Sequence, residues 1–128
     1  MRRTEVTNAI LETLQTNVPS VPWTSKVSGV ATSNSVEGTV ACDSVSFEYD
    51  SKDISVVANA TYYVYIVDLN STVDVDGLAD EVFQCLNNDD LGGVLIVGDV
   101  VRINYGLAPG KPKSSAVLLE YRVKYYDN

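Results

Sequence analysis

Residues Ser115–Tyr126, SAVLLEYRVKYY, decide the fold. Val117, Leu119, Tyr121, Val123 and Tyr125 alternate with Leu118, Glu120, Arg122, Lys124 and Tyr126. Period two is the signature of a pleated strand with one apolar face, and three charges on the other set leave that face to water or a partner.

Working outward, the loop 106–113, which contains Pro109-Gly110-Lys111-Pro112, joins this strand to a strand region at 94–105 as a long hairpin. Gly98-Asp99 is the expected kink there, and Val101, Ile103 and Tyr105 the expected single face. Gly92-Gly93 turns into that region from a helix capped by Asp74 or Asp76, whose inner stripe is Leu78, Val82, Phe83 and Leu86 and which ends in Asn87-Asn88-Asp89-Asp90. Upstream, Val45, Phe47 and Tyr49 alternate with Ser46, Glu48 and Asp50, and Asp50-Ser51-Lys52-Asp53 is the turn of a hairpin. Its returning arm, 54–67, is long for one strand, so Asn59 is expected to mark a bulge or bend. The run Tyr62-Tyr63-Val64-Tyr65-Ile66-Val67 is apolar or aromatic on both faces, one suited to packing on helices and the other to contact with another subunit. The segment 24–38 is rich in Ser, Thr, Gly, Val and Asn and reads as an extended loop or hairpin arm, pinned on its upstream side by Val21 and Trp23. Thr4 is placed to cap a first helix with an inner stripe of Val6, Ile10, Leu11 and Leu14, ending near Asn17 ahead of Pro19 and Pro22. The order helix, arm, two strands, helix, two strands predicts an α+β fold. Its sheet is antiparallel or mixed, of four or more strands, with two helices packed on one face, and residues 1–128 form one domain.

A chain of 128 residues with 45% hydrophobic and 20% charged residues has the composition of an ordinary globular protein. No apolar run approaches the ~20 residues of a membrane span, and the start of the sequence is amphipathic rather than signal-like, so the chain is expected to stay where it is made. The net charge of −8 is unevenly spread. Between Glu37 and Asp99 thirteen carboxylates face the single base Lys52, whereas the two ends carry eight bases and four acids. Gripping duplex nucleic acid through phosphates needs a clustered basic surface, so the balance speaks against it.

The absence of histidine excludes histidine-dependent hydrolase triads and histidine-ligated metals. Cys42 and Cys85 sit in no metal-type or redox-type pair and read as buried reduced thiols. The run 106–114 superficially resembles a phosphate-binding loop, but three residues stand between its glycines instead of four and Pro112 occupies the Ser/Thr position. Asp74-Val75-Asp76-Gly77 opens like a calcium loop, yet Cys85 stands where a bidentate glutamate is needed. Neither implies a cofactor, and no exposed carboxylate pair sits in the apolar setting that acid-base catalysis requires. The sequence is therefore not read as an enzyme.

The opening amphipathic helix, the strand pair, the Asp-capped helix 74–86, Gly92-Gly93-Val94, the strand ending Val101-Arg102-Ile103-Asn104-Tyr105 and the closing strand to Tyr126 together resemble the tail terminator and minor tail proteins of long-tailed bacteriophages and prophages. The likeness covers most of the chain from Val45 onward, plus the first helix. It implies a virion structural protein that closes into a ring, hexameric in the best-known members, at the end of the tail tube, where it meets tube and head-connector proteins. The chain would be made in the bacterial cytoplasm and have no membrane partner. A head-to-tail interface closes into such a ring when its rotation permits. Tyr62, Tyr63, Tyr65, Glu120, Arg122 and Lys124 are the candidate subunit interface. Asp74, Asp76, Asp80, Glu81, Asp89 and Asp90 are the candidate lining of a channel through which DNA passes without specific binding, repelled by like charge. The alternative is a monomeric acidic module that binds or inhibits a basic protein.

Overall fold

The computed structural model describes residues 2–25, 36–49, 56–68, 74–106 and 115–127. Along the chain these form α1 (Arg3–Asn17), β1 (Trp23–Thr24), β2 (Val36–Tyr49), β3 (Val56–Asp68), α2 (Val75–Leu86), β4 (Val97–Gly106) and β5 (Ser115–Tyr126). The sheet order is β1-β2-β3-β5-β4, antiparallel throughout except that the two-residue β1 lies parallel to β2. The α+β fold expected from the alternation is thus present, with a mixed, mostly antiparallel sheet.

Both helices lie on one side of the sheet. In α1, Val6, Ile10 and Leu14 are wholly buried, as their i, i+4, i+8 spacing requires, and Leu11 only partly. Thr4 is not its cap: Arg2 holds that position without a side-chain capping bond, and its guanidinium instead pairs with Glu5 at 3.1 Å. Val18 closes the helix through a 2.7 Å bond from its amide to the Leu14 carbonyl, and the buried Trp23 indole donates to the Val18 carbonyl at 3.0 Å. That bond pins the connector to the body. Gly38 makes it sterically possible, because a β-carbon there would collide with the Trp23 ring and Val21. α2 buries Leu78, Ala79, Val82 and Leu86 over β5, β4 and β3, with Phe83 at the margin.

The strands meet these helices with Val36, Val40, Tyr62, Val64, Ile66, Leu119, Tyr121 and Tyr125, all inside one apolar cluster. Two irregularities set which side chains point where. In β2 the register slips between Cys42 and Ser44, so Val36, Gly38 and Val40 face the helices before the bulge, and Val45 and Phe47 after it. In β4 it slips between Val100 and Arg102, which takes Val101 out of the alternation and leaves Val100, Ile103 and Tyr105 on the helix side. The expected Val101, Ile103 and Tyr105 face is corrected accordingly, as is the kink at Gly98-Asp99, through which pairing with β5 is regular. Asn59 marks no bulge; it pairs regularly with Ser46 and Lys124, and the irregularity lies across in β2. β2 also starts at Val36, so the arm ends sooner than expected. Residues 26–35 of the arm, the turn at 50–53 and the loop from 107 to 114 lie outside the described residues.

Candidate functional site

The side of the sheet away from the helices can be followed in rows from β2 to β4. Ser46, Asn59, Lys124 and Val97 form one row; Ser44, Thr61, Arg122 and Asp99 the next; then Tyr63, Glu120 and Arg102; then Thr39, Tyr65, Leu118 and Asn104. Ser44, Ser46, Asn59 and Thr61 are short, whereas Arg122 and Lys124 are long. The result is a polar trough of about 340 Å³ between Ser44 on one side and Asp99 on the other.

Ions on this face are partly paired. Arg122 donates to Glu120 Oε2 at 3.1 Å, the Tyr63 hydroxyl to Glu120 Oε1 at 3.4 Å, and Lys124 Nζ lies 3.8 Å from Glu48 Oε2. Partial burial, then the acids Asp43 and Glu120, raise the Tyr63 pKa, and Arg102 opposes them. The structure therefore brings five of the six sequence-predicted interface residues onto one face: Tyr63, Tyr65, Glu120, Arg122 and Lys124. Tyr62 does not belong with them. It points the other way, is wholly buried, and its hydroxyl meets Thr7 Oγ1 at 2.8 Å under α1. Burial pushes its pKa up to about 12, against the pull of the Thr7 bond.

The six candidate channel acids are all exposed. Asp74, Asp76 and Asp80 gather at the start of α2 around Tyr105, whose hydroxyl donates to Asp76 Oδ1 at 2.7 Å; that bond raises its pKa, with the same three carboxylates adding to the shift. Asp74 stands at the cap position but makes no side-chain capping bond. A carboxylate in the first turn, here Asp76, is favoured by the helix dipole without one. Glu81 follows on the same helix. Asp89 and Asp90 sit beyond its far end, where Asp89 Oδ1 accepts from the Leu91 amide at 2.7 Å. The acids are thus two groups at opposite ends of α2 rather than one cluster. The polar run after α2 is structural: Asn87 Oδ1 accepts from the Val100 amide at 3.0 Å, and the Asn88 amide donates to the Gly98 carbonyl at 2.7 Å.

Among the described residues no group of three or more His, Cys, Asp and Glu side chains is placed to hold a metal ion, and no helix is long and apolar enough to cross a membrane. Cys42 and Cys85 are free thiols, both with pKa raised by burial, Cys85 to about 11, the opposite of the shift that activates a cysteine. Reading the sequence alone missed the edge residues. Phe47 and Tyr49 on β2, and Val97, Val101 and Tyr105 on β4, expose large apolar surfaces, and Arg102 stands exposed beside them. Their signal was present as hydrophobics near strand ends, but only the strand order shows that β4 ends the sheet and that β2 has just the two-residue β1 outside it.

No protein-family model matches the chain, and no curated protein matches it. Among solved structures it is similar to a chain from the virion of a native gene transfer agent particle. The TM-score is 0.68 at 13% sequence identity, and the match covers 94% of this chain and 94% of that one. At that identity the shared property is the fold, end to end.

Proposed function

We propose that this chain is a structural component of a phage-like virion, acting through shape and association rather than catalysis. The observation that carries the reading is the end-to-end likeness of fold to a chain of a gene transfer agent virion. Within that class it is a tail terminator or minor tail protein, closing into a ring of its own copies, six in the family it resembles, at the end of the tail tube and joining it to the head connector. The open face with Tyr63, Tyr65, Glu120, Arg122 and Lys124 is its contact surface for neighbours in the particle. The acids of α2 and the following turn, Asp74, Asp76, Asp80, Glu81, Asp89 and Asp90, face the passage, where their charge keeps DNA from adhering. The decisive experiment is removal of the gene from the phage or prophage that carries it, followed by electron microscopy. Unjoined heads with tails of uncontrolled length are expected; intact joined particles would sink the reading. The net charge of −8 favours one second reading, a monomeric acidic module that binds a basic protein partner.

A further inference from the structure

Of the seven large apolar side chains that the described residues expose, Phe47 and Tyr49 lie on β2 and Val97, Val101 and Tyr105 on β4, with Ile96 immediately before it. β4 ends the sheet on one side, and on the other only the two-residue β1 lies outside β2. Among the described residues, each of these edges is covered over one part only. β1 covers β2 at Gly38 and Thr39, and the Asn87-Asn88 turn bonds β4 at Gly98 and Val100. The outward backbone groups of Gly98 and Val100 identify the parity of that edge. Past the bulge, the outward-facing residues are Ile103 and Tyr105, which pair with Leu119 and Val117 as Val100 pairs with Tyr121.

We propose that copies of this chain join head to tail by strand addition, residues 44–49 of β2 in one copy pairing antiparallel with residues 102–106 of β4 in the next. The partner is a second copy because the two edges complement one another on both sides. On the helix side, exposed Phe47 and Tyr49 meet exposed Tyr105. On the open side, exposed Glu48 meets exposed Arg102. Direction agrees as well: successive antiparallel pairings make β4 run opposite to β2, so a neighbour in the same orientation presents β2 antiparallel to β4.

The covered parts of the edges forbid an unstaggered joint and fix the offset. Ser46 lies in the row of Lys124 and Asn104 in that of Leu118, six residues away along β5. At a rise of about 3.3 Å per residue this is roughly 20 Å, against roughly 19 Å for four strands about 4.8 Å apart. Strands so staggered tilt by about 45° in the assembly, close to the 35–45° of closed barrels. A ring results when the rotation closes.

This inference rests on the self-association in the proposed function, and its test separates the two. Sedimentation velocity would compare wild type with Phe47→Lys/Tyr49→Lys, with Tyr105→Pro, which removes an outward amide, and with the face pair Tyr63→Ala/Tyr65→Ala, all checked for native circular dichroism. The two edge variants are expected to weaken self-association at least about tenfold, and the face pair far less. Arg102→Glu and Glu48→Lys should each weaken it, and their combination should restore it to within about threefold of wild type. Undiminished assembly in the edge variants would overturn the edge joint and leave the proposed function standing. A wild-type chain that remains monomeric at every concentration would overturn both.

Discussion

Tyr62 and Tyr63 are consecutive residues of β3, yet they belong to different environments. Tyr62 is sealed beneath α1 with its hydroxyl bonded to Thr7. Tyr63 lies on the face without helices, between Glu120 and the influence of Asp43 and Arg102. The same contrast runs the length of the sheet: apolar side chains meet the helices on one side, and Ser, Thr, Asn and mixed charges form rows on the other. One face closes the fold; the other, among the described residues, carries no helix.

The largest effect that tests this contrast is on stability. Tyr62→Ala should cost about 3–5 kcal/mol, as truncation of a buried aromatic does, whereas Tyr63→Ala should scarcely move a urea midpoint. Equal losses would erase the distinction between the faces. Gly98→Ala comes next, at about 1–3 kcal/mol, because its β-carbon would sit 2.8 Å from Tyr121 Cζ in a filled core; a thermal melt measures it. Smaller again is a difference between two buried tyrosines. Tyr62→Phe should cost about 1 kcal/mol by losing the Thr7 bond, while Tyr121→Phe should be neutral or mildly stabilising, because the buried Tyr121 hydroxyl has no partner among the described residues.

Alkaline pH sharpens the same point. Tyr62 titrates near 12 when folded and near 10 in its ordinary state, so above pH 10 the unfolded chain loses its proton first. Stability should begin to fall above about pH 9, where the unfolded chain's cysteine thiols lose their protons first, and fall further between 10 and 12, with a shallower fall over that second range in Tyr62→Phe. Absorbance at alkaline pH tracks the ionisation. The smallest expected change is for Arg122→Gln with Lys124→Gln: a shift in the unfolding midpoint worth no more than about 1 kcal/mol, since both cations reach solvent even though Glu120 is largely buried, so any defect in particle assembly would belong to the open face itself.

The helices, the order of elements and the closing strand were legible because each rests on a local period: Val6, Ile10 and Leu14 in α1, Leu78, Val82 and Leu86 in α2, Val117 to Tyr125 in β5. What escaped is what local period cannot carry. The bulge in β2 reverses the phase between Val40 and Val45, so the strand does not read as one piece and its first three residues read as part of an arm. The bulge at Val101 likewise disguises which β4 residues point inward. Tyr62 was grouped with Tyr63 and Tyr65 because a run of aromatics hides the alternation that separates them. Of the candidate site, the charges of β5 were legible from alternation, but Arg102 and the apolar edges depend on strand order, a long-range property.

The claim that this fold acts by assembling with itself is tested most directly by multi-angle light scattering of the purified chain with negative-stain imaging of the same sample. The account predicts a ring of fixed mass and diameter. A single species of 13.9 kDa at all concentrations would contradict it.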